Sequence, residues 1–209
     1  MTLSLERRRR LVELARMREI LVVEDNPYGL LRYEGEPQAP LYQLDGGDYV
    51  IYVGTLSKIL SPGIRLGWAV APPPVMEKIV LGKQATDLCT STLSQYFALE
   101  YFAEDRWRDY VDSLCGIYRS RRDAMLEQCA GLPLVRADGG WSMLLDCGRL
   151  GIDPAELSNR LIDHKVAATP MAAWGAEVAA RQLRLVFSNE SVERLGTLGE
   201  RLRAALESG

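Results

Sequence analysis

Apolar and polar positions along this chain alternate between two periods. In "LSLERRRRLVELARMRE", Leu5, Val12 and Ala15 fall on one side at helical spacing, with charges elsewhere. Glu6 sits in the first turn, where an anion suits the helix dipole, so a helix is expected. "ILVVED" follows as a short continuous apolar run ending in acids, and the turn-forming "NPYG" comes next. That is the pattern of a buried parallel strand feeding a functional loop. "YVIYVGT" (49–55) and "LGWAVA" (66–71) repeat the buried-strand composition, so three strands of one sheet are expected.

After the prolines at 72–74, residues 75–103 return to helical patterning, with a polar interruption at "TDLCTST". An arginine-rich amphipathic helix is expected over 106–130. Three further strand candidates follow: "GWSMLLD" (140–146), "KVAATP" (165–170) and "QLRLVFS" (182–188). "DPAELSNRLID" lies between the first two as a helix, with Asp153 as N-cap and Pro154 at its first position. The closing helix spaces Val192, Leu195, Leu198, Leu202 and Leu206 three or four apart, a stripe suited to packing on a sheet. The natural boundary falls within the helical stretch 76–104, between an α/β part and a smaller α+β part.

Composition narrows the partners. At 209 residues with 47% apolar residues the chain can build one large or two small cores. A net charge of −3 provides no basic field for nucleic acid, and no apolar run approaches the roughly 18 residues of a membrane span. Small molecules and other subunits are the expected partners. "RRRR" at 7–10 covers one helical turn and points in several directions, so it reads as a solvated face. The four cysteines lack C-x-x-C or metal-ligand spacing and no signal peptide precedes them, which fits a reduced cytoplasm and no metal site. His164 stands alone and reads as a surface or strand-entry residue rather than a catalyst.

The chemistry concentrates in "GTLSKILSPGIRLGW", residues 54–68. A lysine becomes a covalent catalyst where its amine forms a Schiff base and the neighbourhood holds the electrophile. Thr55 and Ser57 supply hydroxyls, Gly54 and Gly63 allow close backbone approach, and Arg65 supplies a planar fork. Hydroxyls and guanidinium together suit a phosphate. The nucleotide loop G-x-x-x-x-G-K-[ST] is absent. A phosphate-bearing aldehyde meets both demands, and pyridoxal phosphate is the common one. Its pyridine nitrogen needs a buried carboxylate partner to stay protonated, and Asp25, at the end of an apolar strand, is the expected one. Glu24 would point to the opposite side of the strand, and Tyr28 could bring a phenol to the ring oxygen.

"VVEDNPYGLLRYEG", "YVGTLSKILSPGIRLGWAVAP", "KQATDLCTSTLSQ" and "LRLVFSNE" together resemble fold-type I pyridoxal-phosphate aminotransferases of the aromatic-amino-acid and 2-aminoadipate group, whose domain also occurs fused to winged-helix regulators. The resemblance runs from about residue 2 to 207. It implies an α/β fold: residues 1–75 from the large cofactor-binding domain, with a mainly parallel sheet, 76–104 as a connecting helical region, and 105–209 as a small C-terminal α+β domain. It also implies Lys58 as Schiff-base lysine and proton shuttle, Asp25 on the pyridine nitrogen and Tyr28 on the ring oxygen. Thr55, Ser57 and Arg65 would hold phosphate, and Arg184 would clamp the substrate α-carboxylate. Gly139 and Gly140 match the glycine turn near the substrate. The reaction implied is amino-group transfer from an amino acid to a 2-oxo acid by a homodimer.

Bland readings stand beside these. Arg184 alone could be a buried ion-pair partner, Trp141 and Trp174 more commonly pack, and "TPMAAWG" (169–175) is a candidate pocket lining. The family's glycine loop, stacking aromatic and N-P-x-G turn have no counterpart in these 209 residues. The expectation is therefore weak cofactor affinity and little or no turnover by this chain alone. A non-catalytic remnant or interaction subunit, a lyase or decarboxylase of the same fold, and a DNA-binding regulator remain the alternatives.

Overall fold

A computed structural model of the chain describes residues 2–175 and 177–208. Its contacts divide the chain into two compact units, Thr2–Leu114 and residues 115–209. The helices expected to form a separate connector fall within the first unit, and the division lies ten residues beyond the expected start of the small domain.

The first unit opens with α1 (Leu5–Arg18), capped by Ser4, whose side chain accepts from Arg7 N. Val12 and Ala15 face inward as their spacing predicts, whereas Leu5 is exposed. Three of the four clustered arginines are exposed. Arg8 departs from the solvated-face expectation: it turns in to Glu24 at 3.4 Å and also donates to Leu3 O and Ala39 O.

β1 (Val22–Asp25) and β2 (Val50–Thr55) run parallel, with Asp25 beside Val53. Between them α2 (Leu41–Asp45) supplies Leu41 to a small core with Val12 and Val50, against which Val22 and Leu44 pack. The Asp45 side chain is fully buried and accepts from Tyr49 N at 2.7 Å and Val50 N at 3.0 Å, with Arg16 Nε 3.3 Å away. Burial alone would raise its pKa. The backbone N–H groups of Tyr49, Val50 and Asp48, with Arg16, outweigh that and hold the carboxyl below its ordinary value. Asp45 thus fastens α1 and α2 to the start of β2.

β3 (Gly67–Val70) completes the three-stranded sheet but runs antiparallel to β2, and Trp68 and Val70 are exposed. The expectation of three buried strands is corrected here. The sheet is shared, but β3 leaves apolar side chains open to solvent. α3 (Pro73–Thr86) and α4 (Thr92–Ala103) follow, separated at the expected polar interruption, and neither contains a buried residue.

The division falls inside α5 (Arg106–Gln128). The second unit is a four-stranded antiparallel sheet in the order β4-β5-β7-β6: β4 (Leu134–Val135), β5 (Ser142–Asp146), β6 (Thr169–Pro170) and β7 (Gln182–Val186). α6 (Pro154–Asp163) starts at Asp153, whose carboxylate accepts from Ala155 N and Glu156 N. Leu157, Leu161, Leu183, Leu185, Phe187 and Leu202 are buried together with Met143 and Leu145 to form this unit's core.

Two expectations change in this unit, and one buried charge is unanticipated. The closing helix is two, α7 (Val192–Leu195) and α8 (Leu198–Glu207), and its buried stripe is Leu195, Leu198, Leu202 and Ala205, leaving Val192 exposed. In "KVAATP" only Thr169 and Pro170 join the sheet. Lys165 adopts φ 59° and, with Val166, donates back to the last turn of α6, so the run first finishes a helix. Arg122 of the arginine-rich α5 is fully buried, donating to Ala137 O and to Asp123 Oδ1.

Candidate functional site

Both parallel strands of the first unit end at the same side of the sheet, β1 at Asp25 and β2 at Thr55. The carboxyl ends of parallel strands are where open α/β sheets bind ligands. The loop from Leu56 to Leu66 leaves β2 at that edge and carries Ser57, Lys58 and Arg65. Leu56 and Ile59, both buried, root the loop in the protein, and Leu56 N donates to Leu66 O at 3.1 Å to close its base. Lys58 between them is half-buried.

Thr55 Oγ1 lies 3.0 Å from Ser57 Oγ and 3.2 Å from Leu66 O, and it accepts from Ser57 N at 3.1 Å. The two hydroxyls are therefore fixed side by side, Ser57 next to Lys58 in the chain and Thr55 three residues before it. Arg65 is exposed and holds φ 55°, a left-handed conformation that costs a non-glycine residue about 1–2 kcal/mol. One of its guanidinium N–H groups donates to Pro62 O at 2.8 Å, and the others have no partner among the described residues. Backbone strain held in place for an outward guanidinium is a common mark of a ligand clamp. Gly54 is buried under Trp68, and an added Cβ there would lie 2.4 Å from the indole. Only glycine allows that approach.

Asp25 does not occupy the buried position expected of it. It is exposed, on the strand face shared with Val23, which is 63% exposed. The alternation of the strand sends Glu24 the other way, where its carboxylate meets Arg8 and accepts from Tyr42 N at 3.1 Å. The more sheltered acid of this strand is thus the structural one. Tyr28 is 41% exposed. Neither Asn26 nor Tyr52 was singled out from sequence. Asn26 Nδ2 donates to Tyr52 Oη at 3.3 Å, bracing the turn after Asp25, and burial raises the Tyr52 phenol, opposed by that hydrogen bond.

In the second unit Arg184 occupies the middle of β7, paired with Leu144 on one side and Thr169 on the other. Its Nε is buried with no hydrogen-bond partner among the described residues, and its guanidinium carbon stands 5.4 Å from the Trp174 ring centroid. An orphaned guanidinium nitrogen is costly unless an anion takes it. "TPMAAWG" thus meets Arg184 through Trp174, itself 63% exposed. Gly140 turns the chain into β5 at φ 83°, a value that favours glycine.

Among the described residues no group of three or more His, Cys, Asp or Glu side chains is arranged for a metal. Among the same residues no helix is long and apolar enough to cross a membrane. The donor set of the first unit, paired hydroxyls, an outward guanidinium and a half-buried amine, fits a phosphate-bearing carbonyl compound such as pyridoxal phosphate.

Comparison with known proteins agrees. Residues 1–202 match the family model for aminotransferase class I and II. The chain is 37% identical over 203 residues to aromatic-amino-acid aminotransferase 1 of Thermococcus litoralis, covering 93% of this chain and 48% of that protein. It is 32% identical over 206 residues to the 2-aminoadipate transaminase of Thermus thermophilus, covering 90% and 51%. The structure superposes with TM-score 0.90 and 35% identity on the kynurenine aminotransferase of Pyrococcus horikoshii, crystallised in complex with PMP, covering 97% of this chain and 51% of that one. The chain spans about half the length of the curated relatives it matches. Sequence, fold and the loop around Lys58 lead to one statement of kinship: the chain belongs to the class I and II aminotransferase family.

Proposed function

We propose that this chain carries the lysine-bearing part of a pyridoxal-phosphate-dependent aminotransferase that moves an amino group from an amino acid to a 2-oxo acid. The observation that carries this reading is the loop at the carboxyl end of the parallel pair, where Thr55, Ser57, Lys58 and Arg65 are presented together. When bound, the cofactor supplies an electron sink for the substrate's α carbon. Thr55, Ser57 and Arg65 hold its phosphate, and Asp25, open to solvent on its strand face, offers a carboxylate to the ring nitrogen. Tyr28 offers a hydroxyl to the ring oxygen. Lys58 Nζ would hold the cofactor's carbonyl carbon and, once displaced from it by the substrate's amine, would serve as the base that takes the α proton and delivers it to the carbon the lysine had held.

Arg184 receives the substrate carboxylate, and its unpaired buried Nε supports that role. A clamp that keeps the carboxylate favours amino transfer over decarboxylation. The relatives' names point to aromatic amino acids and 2-aminoadipate as substrate classes. Exposed apolar side chains on α3 and α4 support assembly as a homodimer, and four free cysteines fit a reducing cytoplasm.

The test is a half-reaction. The chain is loaded with pyridoxal phosphate, an aromatic amino acid or 2-aminoadipate is titrated in, and the cofactor's absorption and the released 2-oxo acid are followed. Slow conversion is expected, and Arg184→Ala should raise the amino acid concentration needed by about tenfold, the value of one lost charged clamp. Release of the decarboxylated amine in place of the 2-oxo acid would remove the aminotransferase reading.

A further inference from the structure

Helix α4 buries no side chain, yet it reaches the Lys58 loop at two points, each one residue from a proposed cofactor contact, and touches β3 at a third. Tyr101 Oη donates to Ile59 O at 3.3 Å, immediately after Lys58. Ser94 Oγ donates to Ile64 O at 3.0 Å, immediately before Arg65. Phe102 meets Trp68 edge-on, with ring centroids 6.4 Å apart, and Trp68 in turn covers Gly54, immediately before Thr55.

Ser94 and Tyr101 stand seven residues apart, two helical turns, and so project from one side of α4. The loop needs such help, because its middle, from Leu60 to Arg65, contains no buried side chain and belongs to no strand. Its carbonyls at 59 and 64 are two fixed points from which the directions of Lys58 and Arg65 follow. The helix itself is held by rings. Tyr101 packs against Tyr110 and Phe102 against Trp107, with centroids 6.3 and 5.4 Å apart, both in edge-to-face contact. Burial, then the neighbouring Tyr110, push the Tyr101 phenol up, which keeps it a neutral donor.

We propose that α4 is a brace for the cofactor loop, with Tyr101 positioning Lys58 and Ser94 positioning Arg65. This rests on the reading of Lys58 and Arg65 as cofactor contacts. The two hydroxyls then have separable jobs: Tyr101 sets the reach of the amine, and Ser94 sets the guanidinium that recognises phosphate.

Two measurements on the full chain test the brace. In the first, Lys58 is labelled with pyridoxal phosphate or pyridoxal, which lacks the phosphate, and reduced with borohydride. Tyr101→Phe should slow labelling of Lys58 by both aldehydes about three- to tenfold, the span of one lost hydrogen bond. Ser94→Ala should instead cut the preference for pyridoxal phosphate over pyridoxal by a similar factor, and Ser94→Thr should restore it. A loss of general stability would not change that preference. The second measurement needs no cofactor: amide hydrogen exchange across residues 59–66 should quicken in Tyr101→Phe and Ser94→Ala but not in Ser94→Thr. Unchanged exchange in both deletion variants overturns the brace, whatever the labelling shows. Quickened exchange without any Lys58 labelling in the unaltered chain would keep the brace and discard the cofactor reading.

Discussion

The two units of this chain are alike in composition and opposite in what they bury. In the second unit most apolar positions of the strands and helices are covered: Leu157, Leu161, Leu183, Leu185, Phe187 and Leu202 are almost wholly out of water. In the first unit α3 and α4 carry equally apolar sequences, yet Leu93 is 80% exposed and Tyr96, Phe97 and Leu99 are more than half exposed. The unit with the complete core presents one proposed substrate contact, Arg184. The unit with the open surface presents the proposed cofactor contacts. Apolar pattern shows that a face is suited to burial, and a partner surface decides whether it is buried.

The sharpest way to break this contrast is to cut equally apolar side chains from each unit. Phe187→Ala should cost about 3–5 kcal/mol in denaturant unfolding, because it leaves a cavity in a closed core. Leu93→Ala should stay within about 0.5 kcal/mol. Equal costs would mean that α4 is covered in solution. Asp45 sharpens the contrast from the other side, as the polar fastening of a unit with few buried apolar groups. Asp45→Ala leaves the N–H groups of Tyr49 and Val50 without their acceptor and should cost about 2 kcal/mol or more.

Asp45 also sets a pH dependence. Its folded pKa lies below the ordinary carboxylate value of about 3.9, so its contribution is complete above that pH and is lost as pH falls through the folded value. Acid titration of Asp45→Asn should therefore show a shallower loss of stability below pH about 4 than the unaltered chain. A parallel loss in both would remove Asp45 from the account. A smaller effect concerns the open face, where Phe97→Ser with Leu93→Ser should lower binding of a hydrophobic dye, measured by fluorescence. Undiminished dye binding would place the sticky surface elsewhere.

The cysteines give the smallest effect. Cys89 is exposed, whereas burial pushes the Cys129 and Cys147 thiols up to about 11, with Asp146 and Asp153 adding to the rise at Cys147. A thiol reagent at neutral pH should modify Cys89 first, with the other three following only on unfolding.

Particular residues show what the sequence made legible. Ser-hydroxyl, lysine and arginine order marked the loop at 54–68, because covalent and phosphate chemistry demand those types close together. Asp153 and Pro154 marked the start of α6, since capping is a local matter. The burial expected of Asp25 and of β3 fails for one reason: composition reports how apolar a strand is, but neither its direction nor which of its faces is covered. Arg8 breaks the solvated-face expectation because its partner, Glu24, is distant in sequence, and the burial of Arg122 against Ala137 O is illegible for the same reason. The hydroxyls of Ser94 and Tyr101 were passed over within an apolar helix, although their seven-residue spacing was a usable signal.

The central claim is that Lys58 is the covalent anchor of a phosphate-bearing aldehyde. The most direct measurement is peptide mapping by mass spectrometry after the full chain is mixed with pyridoxal phosphate and reduced with borohydride. The account predicts a label concentrated on Lys58, lost in Lys58→Ala and weakened in Arg65→Ala. A label spread evenly over Lys58, Lys78, Lys83 and Lys165, and no weaker at Lys58 in Arg65→Ala, would contradict it.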